Sequence, residues 1–150
     1  MSKFLNIETD AAVLEKEWVL VIQTPVTGMD VFLEALRAKV ELKQGYYECC
    51  LHISAPGEQQ FRALEGSHAG TEETVQSVTV VDITISIAPQ ELLLKQVLGV
   101  VFEHHVHEDP TIRITECWAT RSKYSDDGEN PNKYWNRDDA AEIHGTAIDS

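Results

Sequence analysis

A chain of 150 residues, 43% hydrophobic and 25% charged, has the size and composition of one globular domain with a real core. Its formal net charge is −13 at pH 7. A surface this acidic repels nucleic-acid backbones and anionic lipid, so we expect no nucleic acid and no membrane among the partners. No run approaches the roughly 20 apolar residues that span a bilayer, and the first residues turn acidic before a signal-peptide core forms.

The cysteines indicate a reducing compartment. Cys49, Cys50 and Cys117 form an odd set, and adjacent residues of a strand point to opposite faces of the sheet. A disulfide between the first two is therefore not expected. Reduced thiols fit a cytoplasmic protein.

The start of the chain predicts a strand followed by a helix. Residues 1–17 carry a weak helical pattern at 10–16 and are predicted to be an N-terminal appendage. Residues 18–22 are apolar on both faces, which is typical of a central strand. A helix is then predicted over residues 29–42, because apolar side chains recur there at helical spacing: Phe32, Ala35, Leu36 and Val40.

Two more strands and a second helix are predicted before the last strand. Residues 46–54 alternate, and their apolar face comprises Tyr47, Cys49, Leu51 and Ile53. A long polar connection follows, and a strand begins near Val78 with Val81, Ile83, Ile85 and Ile87 on one face. Pro89 opens a helix, whose buried stripe comprises Leu93, Leu94, Val97, Leu98 and Val101. The last strand covers residues 111–118.

This order predicts an α+β domain over residues 18–120 with the ferredoxin-like βαββαβ arrangement, an antiparallel sheet with two helices on one face. The other face is expected to be half polar, with Glu48, His52, Asp82, Thr84 and Arg113. Such a face is either exposed to solvent or covered by another subunit. Residues 121–150 are predicted to be an acidic, turn-rich C-terminal tail, ordered only where its aromatic side chains dock.

Four short segments, in order, resemble the domain inserted in Nif-three-like proteins (the NGG-interacting-factor family), including its free-standing bacterial relatives. Residues 45–50 resemble its Gly-x-Tyr-x-x-Cys strand, and residues 61–70 its Phe-Arg-Pro-x-x-Gly-Ser-x-Pro-x-x-Gly loop. Residues 73–75 match the Glu-x-Val after that loop. Residues 105–110 stand where the family has His-Pro-Tyr-Glu-x-Pro, with Val106 and His107 replacing Pro and Tyr.

The resemblance spans roughly residues 18–118. It implies a fold akin to the CutA and PII trimers, and hence a homo-oligomer, most simply a homotrimer. Larger Nif-three-like proteins build their dinuclear metal site outside the inserted domain, and this chain is expected to be too short to contain the flanking halves. Their hydrolase or cyclohydrolase labels are therefore not carried over.

A loop in the middle of the chain is a candidate ligand site. Its residues are Gly66, Ser67, His68 and Gly70. The glycines are not followed by the Lys-Ser/Thr pair of a Walker loop. They permit a tight chain path, and exposed N–H groups in such a loop could hold a small anion.

A cluster of histidines near residue 105 is a candidate metal site. Its donors are His104, His105, His107 and Glu108. Imidazole and carboxylate ligands suit a divalent transition metal such as zinc, copper, nickel or iron. The alternative needs no metal, because histidines favour a helix C-terminus and acidic residues solvate a turn.

Three classes of function remain open. The first is a non-enzymatic ligand-binding or regulatory module that works as an oligomer and takes a small molecule or anion. The second is a metal-binding or metal-tolerance protein centred on residues 104–108. The third, an enzyme of unknown reaction, is supported least, because the spacing of the residues reveals no nucleophile–base pair.

Overall fold

The computed structural model describes residues 3–124 and 128–148. The strands are β1 (Ala12–Pro25), β2 (His52–Ile53), β3 (Gly57–Phe61), β4 (Gln76–Ile87) and β5 (Ile112–Ser122). The helices are α1 (Met29–Lys39), α2 (Glu91–His104) and the short α3 (Ala140–His144), which follows a 3₁₀ turn at Tyr134–Asn136. No helix in these two ranges is long and apolar enough to cross a membrane.

Strand β1 lies in the middle of an antiparallel sheet. It pairs with β4 on one side and with β5 on the other. Strands β2 and β3 pair with successive parts of β4, so together they occupy the place of a single second strand. The resulting order, β2-β4-β1-β5, is that of a ferredoxin-like βαββαβ fold. The predictions of an α+β fold and of a central first strand are confirmed.

One core fills the space between the sheet and both long helices. Leu20 and Ile22 of β1 are completely buried, because β4, β5 and the helices surround them. The predicted face of β4 is buried as well, and Phe32 and Leu36 cover it from α1. Helix α2 contributes Val97, Val100 and Val101, while its predicted stripe residues Leu93, Leu94 and Leu98 are only partly buried.

In the described part of the chain no helix packs on the opposite face of the sheet, and this face is half polar, as predicted. A row of side chains crosses it, because His52 pairs with Thr84, Thr84 with Val21, and Val21 with Arg113. We call this surface the open face. Glu48, also expected there, belongs to no strand and lies instead beside a cavity next to helix α1.

The weak helical pattern at residues 10–16 does not produce a helix. Residues 12–16 belong to the beginning of β1, where Leu14 pairs with Thr120 and Ala12 with Ser122, and residues 10 and 11 form a bend before it. Cross-strand hydrogen bonds therefore override a weak local helical preference. The division of the chain at residues 17 and 120 stays a prediction, although both β1 and β5 extend beyond these two positions.

The prediction of a strand over residues 46–54 is largely wrong. Only His52–Ile53 is a strand, and Gln44 pairs with Tyr47 across a turn. Gly45 has a φ of 60° and Cys49 a φ of 58°, left-handed conformations that interrupt extended chain. The expected apolar face is not buried, since Tyr47 is 54% exposed. The polar connection expected next contains strand β3, and α1 ends at Lys39 rather than at residue 42.

Aromatic contacts with the C-terminal part of the chain explain this difference. The rings of Tyr46 and Tyr124 lie 4.0 Å apart, and the Tyr124 hydroxyl accepts a 2.8 Å hydrogen bond from the backbone N–H of Tyr46. Tyr134 lies close enough to Tyr47 to raise the pKa of the Tyr47 hydroxyl above its ordinary value. The C-terminal part of the chain thus contacts residues 46 and 47 through aromatic side chains, and it also contains a 3₁₀ turn and α3. Residues 125–127 of the predicted turn-rich stretch lie outside the described residues.

We expect Ile85→Ala to lower the free energy of unfolding by about 2–5 kcal/mol, because Ile85 is only 2% exposed and its loss leaves a cavity. Leu94→Ala should cost less, because Leu94 is only partly buried. Chemical denaturation measures both. Leu92→Ala, on an exposed position of the same helix, is the control, and an equal loss in all three variants would contradict the assignment of the core.

Candidate functional site

Two separate connections meet beyond one end of the sheet. The first joins β3 to β4 and comprises residues 62–75, the glycine loop. The second joins α2 to β5 and comprises residues 105–111, the histidine turn. They contain most of the site residues predicted from the sequence, and the structure brings the two sets into contact.

The contact between them is a carboxylate held by a histidine. Nδ1 of His68 lies 2.7 Å from Oε1 of Glu108, and the backbone N–H of His68 donates to Oε2 of Glu108 at 3.1 Å. The His68 hydrogen bonds lower the pKa of Glu108 below its ordinary value. The glycine loop therefore binds a carboxylate through a main-chain N–H and an imidazole together.

The shape of the glycine loop depends on two left-handed glycines. Gly66 has a φ of 103° and Gly70 a φ of 73°, values that side chains with a Cβ atom rarely adopt. A Cβ at either position would meet nothing within 4 Å, so backbone conformation, not crowding, requires glycine there. Between them, the Ser67 hydroxyl lies 2.9 Å from the Leu64 carbonyl, and the Gly70 N–H donates to the Ser67 carbonyl. The loop is thus braced internally and open to solvent.

His105 ties the histidine turn to the sheet. It is 7% exposed, and its ring packs edge-on against Phe32 with centroids 5.1 Å apart. Nε2 lies 2.8 Å from the carbonyl of Gln23, so it carries the proton, while Nδ1 accepts a 3.0 Å hydrogen bond from the His107 N–H. The imidazole is therefore neutral, and both of its nitrogens are engaged within the protein.

The predicted metal donors are arranged for these internal contacts. Both nitrogens of His105 are used, and Nε2 of His104 lies 3.0 Å from the ammonium of Lys39, from which it accepts a hydrogen bond. His107 is nearer, with its ring centroid 5.5 Å from that of His105. Within residues 3–124 and 128–148, no three His, Cys, Asp or Glu side chains are grouped to hold a metal ion. A metal at this position stays a prediction.

The sequence does not reveal the His68–Glu108 pair, because 40 residues separate the two partners. It also does not reveal that His105 bonds to the main chain of β1. The available signal was indirect: a histidine between two glycines, and a glutamate at the end of a histidine run. Residue types identify both segments, whereas only the fold shows that they touch.

Burial lowers the pKa of His105 below its ordinary 6.5, so the unfolded chain takes up this proton at a higher pH than the folded protein. Stability should therefore fall as the pH drops below about 6.5. In His105→Gln, which cannot titrate, the part of this loss that is due to His105 should disappear. Denaturation midpoints between about pH 7.5 and pH 5 measure it.

His52→Gln removes an exposed imidazole and is the matched control for this experiment. The difference in the free energy of unfolding between wild type and His105→Gln should decrease as the pH falls. Only the wild type must then release a proton from residue 105 in order to fold. If the two variants depend on pH in the same way, the role assigned to His105 is wrong.

No protein-family model matches the chain, and no curated protein matches it. Solved structures do match. A NIF3-related protein of Bacillus cereus superimposes with a TM-score of 0.56 at 22% identity, over 74% of this chain and 27% of that one. The present chain thus spans about a quarter of the length of that relative.

Two smaller proteins match the chain over most of their own length. The divalent ion tolerance protein CutA1 of Ehrlichia chaffeensis has a TM-score of 0.50 at 13% identity, over 75% of this chain and 87% of its own. GlnK of B. subtilis has a TM-score of 0.44 at 13% identity, over 69% and 86% respectively. At such identities the likeness concerns the fold alone. The chain has an antiparallel α+β fold similar to CutA1 and to the domain of a NIF3-related protein.

Proposed function

We propose that this protein is a non-enzymatic, oligomeric module that binds a small anionic ligand at its glycine loop and acts as a regulatory element in the cytoplasm. One observation carries the proposal: the loop already holds a carboxylate, that of Glu108, through a main-chain N–H and an imidazole. A loop that binds a carboxylate of its own chain has the chemistry to bind one from outside.

The strength of this site comes from fixed donors. Hydrogen bonds to an ionised oxygen are roughly twice as strong as neutral ones, and a braced loop does not need to be ordered when the ligand arrives. A Cβ built on Gly66 or Gly70 would meet nothing within 4 Å, so the space beside both glycines is open. Glu108 is an internal competitor, so an external anion must displace it or bind beside it.

The oligomeric part of the proposal rests on the open face. Val19 and Val21 lie half-buried at its centre, among Thr84, Ser86 and Thr115 from the neighbouring strands. No helix of the described chain covers this surface, and a half-apolar sheet face of this kind suits contact with a second copy. We propose a homotrimer, the state that the resemblance to CutA and PII proteins implies.

Metal binding is the second candidate. The name of the CutA1 protein described above refers to divalent ion tolerance, and His105 and His107 of this chain lie close together. Binding there requires an imidazole nitrogen, so His105 would have to give up a hydrogen bond to Gln23 or to His107. The anion proposal needs no such rearrangement. An enzyme of unknown reaction remains the third candidate.

Light scattering at micromolar concentration should give a multiple of the 16.8 kDa chain mass, with three copies expected. Val21→Lys places a charge at the centre of the open face and should yield monomers. Val31→Lys, on an exposed position of α1, is the matched control and should leave the mass unchanged. Circular dichroism checks that both variants fold, and a wild-type mass of 16.8 kDa would contradict the oligomer.

Glu108→Ala should increase the affinity of the glycine loop for inorganic phosphate, because it removes the carboxylate that occupies the His68 N–H. Phosphate should then shift the amide resonances of residues 66–70 at an about tenfold lower concentration than in wild type. The reason is that phosphate no longer has to displace a charge-assisted hydrogen bond to the Glu108 carboxylate. Nuclear magnetic resonance titration provides the measurement.

Asp109→Ala removes a neighbouring charge and controls for general repulsion, since it alters the net charge by the same amount. It should change phosphate binding much less than Glu108→Ala does. Equal effects would mean that only net charge matters. Absence of any shift at residues 66–70 in wild type and in both variants would refute the loop as an anion site, whatever the oligomeric state.

A further inference from the structure

A cavity of about 820 Å³ lies at the other end of β1 from the glycine loop. It exists because β4 ends at Ile87, whereas β1 continues to pair with β5 as far as Ala12. The space beside Glu15 and Glu17 is therefore left without a neighbouring strand, and the end of α1 and the chain after it close around it. Its volume is in the range typical of small-molecule sites.

Charge distinguishes this cavity from the rest of the surface. The chain has 12 Lys and Arg residues against 25 Asp and Glu. The cavity nevertheless has five basic side chains against four acidic ones along its walls: Lys16, Arg37, Lys39, Lys43 and Arg121 against Glu15, Glu17, Glu41 and Glu48. In a protein of net charge −13, this is a place where an anion meets little net repulsion.

Two half-buried arginines in the walls differ in their partners. Arg121 donates to Glu17 at 2.7 Å and lies near Glu15. Arg37, on α1, has no carboxylate within 4.0 Å among the residues that the structure describes. A partly desolvated guanidinium without an anion leaves strong donors unused, because its five N–H groups match a carboxylate or phosphate. Lys43 is a second cation among the lining residues.

Apolar side chains also line the cavity: the buried Val40, Leu42 and Val97, and the half-buried Leu93 of α2. A ligand that contacts both kinds of side chain has an anionic head for Arg37 and an apolar body for these residues.

We propose that this cavity binds an organic anion, a carboxylate or phosphate attached to an apolar chain, with its head on Arg37 and Lys43. The glycine loop contributes nothing to the cavity, and of the open-face residues named above only Ser86 lines it. The proposal therefore stands or falls independently of the function proposed above.

Calorimetric titration of the full chain with octanoate and octyl phosphate tests the proposal. At least one should bind with one site per chain, and the tighter of the two identifies the head group. Acetate and inorganic phosphate, which lack the chain, should bind at least tenfold more weakly, and so should octylammonium, which reverses the charge.

Variants locate the site. Arg37→Gln and Lys43→Gln should each weaken the tighter ligand by about tenfold, which corresponds to about 1.4 kcal/mol. Lys133→Gln, an exposed position outside the cavity, should leave the affinity within about twofold of wild type. Circular dichroism checks that each variant folds. Lys43 is exposed and lies outside α1, so its substitution does not disturb a helix.

Three results would overturn the proposal. The first is that neither eight-carbon anion binds at millimolar concentration. The second is that octylammonium binds as tightly as octanoate, which would mean that the cations play no part. The third is that binding persists unchanged in both Arg37→Gln and Lys43→Gln, which would place the ligand elsewhere.

Discussion

The structure depends on the position of β1 between β4 and β5, antiparallel to both. With this order, α1 and α2 must pass over the same face of the sheet to return the chain to its neighbouring strands. Leu20 and Ile22 are therefore buried beneath the helices, whereas Val19 and Val21 point to the other side. A single strand thus gives the sheet one buried face and one half-polar face, on which no helix of the described residues packs.

The same strand links the candidate ligand loop to the core. The carbonyl of Gln23 lies near the end of β1 and accepts a hydrogen bond from the Nε2–H group of His105. His105 in turn fixes the main chain at His107, one residue before Glu108, which holds the glycine loop. The loop is exposed, yet its position is set through three successive contacts that begin in the sheet. A protonated His105 would lose the acceptor for the His107 N–H and so weaken this connection.

Sequence periodicity predicted the parts of the fold that burial determines. Val81, Ile83, Ile85 and Ile87 alternate and are all buried, because one side of β4 faces the helices. The alternation at 46–54 has another origin: its tyrosines contact Tyr124 and Tyr134, up to 87 residues away, and no local pattern encodes such partners. The prediction at 10–16 failed for a similar reason, since pairing with β5 outweighs helix propensity.

The candidate site was predictable in its residues but not in its connections, and the charge of the protein shows why the connections matter. At physiological salt, electrostatic forces are screened beyond about 8 Å, so a net charge of −13 opposes an approaching anion without preventing its capture. Capture then requires donors fixed at contact distance. The glycine loop provides them through the His68 N–H and ring, and the cavity through the Arg37 guanidinium. Composition alone argues against anionic partners, whereas both proposed sites depend on local geometry.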